Sequence, residues 1–184
     1  TKATLMAMQG RIRSMALLHG LLYQSGTYAT INLGDYIRGV ASEAFSSQSV
    51  HGSKVRLCFE LAAVHVNMDQ AMPCGLLVNE LISNCLKHGF PDGREGSITV
   101  GLRPAEAAGH WQLTVLDTGV GPANNFIEKS TASMGLQLIS DLSQQLDGLL
   151  EMRRADSGGM SASVTFLVRV PANASDRAQI GQPG

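Results

Sequence analysis

Aromatic side chains are scarce, at 5% of the 184 residues, which makes stacking on nucleic-acid bases a poor candidate for the main theme. Neither sign of charge predominates: 14 Lys and Arg against 15 Asp and Glu leave a formal net charge of −1. The chain therefore lacks the bulk attraction that a nucleic acid or an anionic membrane would exploit, and no nucleic-acid partner is expected. No apolar run approaches the roughly 20 residues of a membrane span. The opening TKATLMAMQGR has no apolar leader core and no cleavage site, so no secretory leader is expected. The first residue is not Met, which points to a longer parent chain. Cysteine is limited to Cys58, Cys74 and Cys85, in apolar contexts without metal-ligand spacing. An odd number of such thiols fits a reducing cytoplasm. What the chain does have is 44% hydrophobic residues, enough for one compact domain plus an additional element.

The apolar periodicity divides the chain. Leu5, Met8, Ile12, Met15, His19 and Leu22 recur at intervals of three and four, a heptad-like seam that predicts a helix over 1–24 in search of a partner helix. A second helix is predicted over 33–46, with Asn32 and Asp35 resembling a capping box. KVRLCFEL alternates as a half-buried strand, and AVHVNM reads as a short strand after it. Asp69 is a candidate cap for a helix over about 70–88, with Pro73 near its first turn. SITVGL and WQLTVLD are strands, and DTGVGPANNFIEKSTAS is an aperiodic loop of the kind that carries function. A helix then places Leu136, Ile139, Leu142 and Leu146 inward, and LLEMRR and SASVTFLVRV close a hairpin. The tail after Pro171 is polar and is expected to be disordered. Strands in hairpin-like pairs separated by helices predict an α+β fold: a mixed, mostly antiparallel sheet covered on one face by helices.

Three stretches carry chemistry. In NELISNCLKHG, residues 79–89, Glu80 and Asn84 lie four residues apart on one helical face, and Lys87 and His88 extend it by a turn. Val78, Leu81, Ile82, Cys85 and Leu86 fill the other arc. Two readings stay open here, a solvated polar side or a binding face; Asn is an unusual choice for the first. In LDTGVG a strand runs into Asp117 and then Gly119 and Gly121, a pattern that lets backbone approach a ligand while the carboxylate accepts a bond from an amine. A simple turn would read the same way. In SMGLQLI, Gly135 opens a helix whose free N–H groups suit an anion, unless Ser133 is only an ordinary N-cap.

The order and spacing of these stretches resemble the Bergerat-type ATPases, the group of sensor histidine kinases, anti-sigma-factor serine kinases, type II topoisomerases, MutL proteins and Hsp90 chaperones. NELISNCLKHGF, DTGVGP and MGLQLISDLSQQLDGLLE look like the catalytic domain of a sensor histidine kinase. RIRSMALLHGLLYQS with INLGDYI resembles the second dimerisation helix of the type-2 dimerisation-domain subclass, so the likeness runs from about 5 to 168. It implies a Bergerat-type two-layer sandwich preceded by a dimerisation-type helix. Residues 1–31 would be that helix and its linker, 32–170 the ATP-binding catalytic domain, and 171–184 a tail.

By the same resemblance the cofactors are ATP and Mg²⁺. Asn84 would be the metal ligand, and Glu80 would polarise the attacking group or hold a metal-bound water. Lys87 would neutralise phosphate charge, His88 would either do the same or simply pack or hydrogen-bond, Asp117 would recognise the adenine amino group, and Gly119 and Gly121 would line the base and ribose. Segment 122–134 would be the ATP lid, with Gly135 near the phosphates and Leu136 and Ser161 as further nucleotide contacts. The implied activity is transfer of the γ-phosphoryl group to a histidine on a first dimerisation helix absent from this sequence, for relay to an aspartate of a response-regulator receiver domain. An upstream sensor and a homodimer through residues 5–22 follow from the likeness. His19 matches a recurring histidine of the second helix rather than the phosphoacceptor.

One motif departs from the family pattern. Gly158-Gly159-Met160-Ser161 has Met where the family carries Thr beside the adenine pocket, and Ser161 or Ser163 is the available hydroxyl. Two alternatives follow: a histidine phosphotransfer adaptor with a vestigial ATPase domain, which Met160 favours, and an anti-sigma-type serine kinase, which the helix at 1–24 disfavours.

Overall fold

The computed structural model describes residues 30–49, 54–121 and 134–169, with Ala16 as a single helical residue. The helix expected over 1–24, all of the expected lid 122–134 but Met134, and the tail from 171 lie outside the described residues.

Strand β1 (Ile31–Asn32) leads directly into helix α1 (Leu33–Gln48). Asn32 is its N-cap, accepting from the Gly34 N–H at 3.1 Å. Its amide also donates to Asp35 at 2.8 Å, so the acidic partner of the expected capping box meets a side chain. Strand β2 (Val55–Leu61) and the two-residue β3 (His65–Val66) follow, then helix α2 (Met68–Asn84). The N-cap of α2 is Asn67, without a side-chain cap bond, so Asp69 sits within the first turn instead of capping it. Pro73 accordingly falls inside the helix.

Strands β4 (Gly96–Pro104) and β5 (His110–Asp117), helix α3 (Met134–Gln145), and strands β6 (Leu149–Arg154) and β7 (Met160–Leu167) complete the described elements. They form a five-stranded sheet in the order β2-β4-β5-β7-β6. The β4–β5, β5–β7 and β6–β7 pairs are antiparallel, while β2 and β4 are parallel, with Val55 opposite Gly96.

The expected mixed, mostly antiparallel sheet under helices is what forms; the expected pairing of KVRLCFEL with AVHVNM is not. Strand β3 pairs instead with β1, Ile31 opposite Val66. A parallel pair needs a long crossover, and α2 occupies it.

Alternation decides which side of the sheet the helices cover. Ile98, Val100 and Leu102 of β4, Leu113 and Val115 of β5, and Ala162, Val164 and Phe166 of β7 are buried, and they cluster with Ile37, Leu77, Ile82 and Ile139 of the helices. Asp117 continues the row of Leu113 and Val115 on this same face and is 3% exposed. A carboxylate thus ends an apolar row, where it needs partners to be tolerated.

Candidate functional site

The polar arc of α2 is not a solvated side. Asn79, Glu80 and Ser83 are buried, with Glu80 only 7% exposed, and Asn84 is half-buried. Opposite them stands the start of α3. A β-carbon on Gly135 would lie 3.7 Å from Glu80 Oε2 and 3.8 Å from Asn84 Oδ1, so two oxygen-bearing side chains converge on this helix N-terminus. The i, i+4 spacing read from sequence accounts for that pairing.

Beyond Asn84 the helix changes. Cys85–Gly89 forms a single π-type turn, a wider coil that is frequent at functional sites. The α-helical spacing that put Lys87 and His88 on the Glu80–Asn84 face no longer applies there. Both are exposed. The turn also carries the backbone of Gly89 to the end of β5, where the Val120 N–H donates to the Gly89 carbonyl at 2.9 Å.

Asp117 is held from several sides at this junction. The Gly119 N–H donates to its Oδ1 at 2.8 Å, and the Cys85 thiol donates to its Oδ2 at 3.5 Å. Burial pushes the Cys85 thiol well above its ordinary pKa, and the adjacent Asp117 charge and hydrogen bond add to the shift. The thiol is therefore a protonated donor. On the next residue, Thr118 exchanges bonds with Ser97: its N–H donates to the Ser97 carbonyl at 3.1 Å, and its Oγ1 accepts from the Ser97 N–H at 2.9 Å. These bonds tie the loop to β4.

Backbone fits against backbone here. A β-carbon on Gly119 would stand 2.2 Å from the Gly89 carbonyl oxygen, and one on Gly159 would stand 1.9 Å from that of Asp117. Any side chain at either position would force three segments apart: the π turn, the loop after β5 and the β6–β7 turn. Gly121 adopts φ +72°, which L side chains rarely tolerate. The Arg154 guanidinium donates to the Val120 carbonyl at 3.1 Å across the same junction.

The site residues expected from sequence fall into groups. Glu80, Asn84 and Gly135 come together, and Asp117, Gly119 and Gly121 form a second group along the π turn. Leu136 is half-buried on α3 and packs against the core. Ser161 is not brought in. It lies opposite Leu116 and Arg153, out of phase with the buried row Ala162, Val164 and Phe166, so alternation turns it to the other face of the sheet. Ser163 shares that outward phase. Met160, in phase with Ala162, is the β7 residue on the Asp117 side, so the hydroxyl substitutes expected at 161 or 163 face away.

Two contributors carry no signal in the sequence. Cys85 fits the apolar arc of α2 as core packing, and Arg154 fits an ordinary strand. Neither has a local signature, because their partners lie 32 and 34 residues away in the chain.

Comparison with known proteins bears on this arrangement. Residues 70–172 match the family described as histidine kinase-, DNA gyrase B-, and HSP90-like ATPase, and residues 1–48 match the family described as histidine kinase. The sensor histidine kinase PdtaS of Mycobacterium tuberculosis is 30% identical over 165 residues, covering 88% of this chain and 31% of its own length. The blue-light-activated histidine kinase 2 of Erythrobacter litoralis is 27% identical over 157 residues, 83% of this chain and 44% of the relative. The chain thus spans less than half the length of these relatives. Among solved structures, the histidine kinase domain of Erythrobacter litoralis EL346 superposes with a TM-score of 0.77 at 22% identity, over 88% of this chain and 75% of that one. That likeness is one of fold.

Proposed function

The chain belongs to the histidine kinase-, DNA gyrase B- and HSP90-like ATPase family, and from that premise we propose that it is the ATP-binding catalytic part of a two-component sensor histidine kinase. Its reaction is transfer of the ATP γ-phosphoryl group to a histidine outside this sequence, for relay to an aspartate of a response-regulator receiver domain. Residues 1–31 serve as second dimerisation helix and linker, with 5–22 as a homodimer seam, and 32–170 as the catalytic domain. The packing of α1 on the same core as α2 and α3 supports a catalytic domain that begins before Leu33. No helix among the described residues is long and apolar enough to cross a membrane; the reading places the domain in the cytoplasm.

The observation that carries the proposal is the convergence of Glu80 and Asn84 on the N-terminus of α3, beside a buried carboxylate at a backbone junction too tight for side chains. The positive end of the α3 dipole, at Met134 and Gly135, receives triphosphate oxygens. Asp117, desolvated and with acceptor capacity left after two bonds, takes the adenine amino group. Gly119 and Gly121 bring backbone against the base and ribose. Glu80 orients the attacking imidazole, and Lys87 offsets phosphate charge from its exposed position on the π turn. His88 and Leu136 border the nucleotide. Ser161 faces away in this register, which leaves the Met160 thioether lining the pocket wall.

The donor set fits Mg²⁺. Asn84 offers a hard amide oxygen beside the Glu80 carboxylate, as that ion prefers. Among the described residues no group of three or more His, Cys, Asp or Glu is placed to hold a metal ion, so Asn84 and Glu80 are the residues that would hold it together with the nucleotide. When bound, Mg²⁺ would supply neutralisation of the charge developing at the transferred group. The chain's own share is positioning, since phosphoryl transfer asks little covalent chemistry of the protein.

Calorimetric titration of the chain with Mg-ATP tests the proposal. Binding at micromolar to millimolar nucleotide is expected. Absence of binding at millimolar nucleotide, with the fold intact by circular dichroism, would replace it with the vestigial-adaptor reading that Met160 favours. In a longer chain carrying the acceptor, acid-labile label from ATP marks phosphohistidine, and acid-stable label would point to a serine kinase.

A further inference from the structure

Resting on that reading, we infer that Cys85 is a positioning residue that sets the preference of the pocket for a 6-aminopurine. Asp117 can discriminate among purines only if its carboxylate is held still, because a rotating carboxylate meets a donor or an acceptor with little distinction. Its Oδ1 is anchored by the Gly119 N–H at 2.8 Å and packed by neighbouring backbone, with a β-carbon position of Gly159 only 2.6 Å away. Oδ2 has one described partner, the Cys85 thiol at 3.5 Å. An ionised carboxylate has about four acceptor sites, so the thiol occupies one at Oδ2 and leaves another for an incoming N–H.

Met160, on the same face, brings no hydroxyl to take over this task, and Ser161 and Ser163 face away. Cys85 stands where it does because it closes the α-helical part of this helix, at φ −58° and ψ −48° with its N–H on the Leu81 carbonyl, and the packing of that helix end sets its thiol against the end of β5. Loss of the thiol frees the Oδ2 side of the carboxylate. The 6-amino group of adenine, a donor to Asp117, then loses a held acceptor. The 6-carbonyl of hypoxanthine, which faces the carboxylate acceptor to acceptor, is disfavoured less.

The experiment titrates the wild-type chain, Cys85→Ala and Cys85→Ser with Mg-ATP and Mg-ITP, with thermal melting as the control for folding. Wild type is expected to prefer ATP. Cys85→Ala is expected to bind ATP about fivefold more weakly, the size of a modest hydrogen bond, while ITP changes by less than about twofold. Cys85→Ser, which keeps an O–H donor, is expected to recover most of the ATP preference. A merely structural thiol would weaken both nucleotides alike. ATP binding with an unchanged ATP-to-ITP ratio in Cys85→Ala, or a Ser variant no better than Ala, overturns this inference alone. Failure of the wild type to bind ATP overturns the nucleotide reading and this inference with it.

Discussion

The two ends of α2 solve the same problem in opposite ways. Each buries polar side chains in a mostly apolar layer. At the first end Gln70 is 1% exposed, and its amide is committed to main chain: Nε2 donates to the Leu167 carbonyl at 2.8 Å and Oε1 accepts from the Arg169 N–H at 2.9 Å. One turn on, Gly75 leaves room for the Tyr36 ring, whose hydroxyl would lie 2.3 Å from a β-carbon there. At the second end Glu80 and Asn84 turn their oxygens toward the start of another helix, and the coil widens to reach a buried aspartate. Buried polarity alone therefore does not mark a site. Gln70 closes a strand end with protein partners, whereas Glu80 and Asn84 turn acceptors toward a helix N-terminus that favours anions, and Asp117 is held at the end of β5.

The comparison can be broken at either end, and the sizes of effect differ. Asn84→Ala should have the largest: Mg-ATP-dependent phosphorylation in an acceptor-bearing chain should fall at least about 100-fold, with the melting temperature within a few degrees of wild type. Residual activity near wild type would return α2 to a plain amphipathic helix. Gly159→Ala comes next, because its β-carbon meets the Asp117 carbonyl at 1.9 Å. Overpacking against backbone should lower stability by about 3 kcal/mol in urea titration and weaken nucleotide binding together with it.

Gln70→Ala should act on stability alone. It leaves the Leu167 carbonyl and the Arg169 N–H without their side-chain partner, a loss of about 2 kcal/mol, yet ATP affinity should stay within about twofold. A matching drop in affinity would show that the two ends are coupled. The smallest effect is one of pH that both ends share. Burial raises the pKa of Cys74 and Cys85 above the ordinary thiol value of 9.0, so the folded state holds these protons more tightly than the unfolded chain does. Their contribution is complete below pH 9.0 and declines as pH rises toward the raised values. The loss should appear as urea midpoints that fall as pH rises above 9.0. Tyr36, also raised by burial, adds its share above its ordinary 10.0.

Much of this was legible beforehand. Helix α1, strands β2, β4, β5, β6 and β7, and the sidedness of α2 all follow from apolar period, because side chains repeat at 3.6 residues in a helix and at 2 in a strand. The pairing of Glu80 with Asn84 is a local consequence of helical spacing. So is the position of Asp117 at a strand end before glycines. The reading that Asp69 caps α2 failed because the preceding segment enters through Asn67, and the acidic residue falls inside the first turn.

What the sequence determined by itself is thus the set of elements, the faces they bury and the order in which the candidate residues occur. Only tertiary structure decided that β2 runs parallel to β4 while β3 leaves to join β1, and that the Cys85 thiol meets Asp117. It also decided that Met160, rather than either serine, shares the face of that aspartate. The physical reason is common to all three. Periodicity records which side of an element is apolar but not what lies across from it, and partners 30 or so residues apart are chosen by strand register and by how a helix end docks on the sheet.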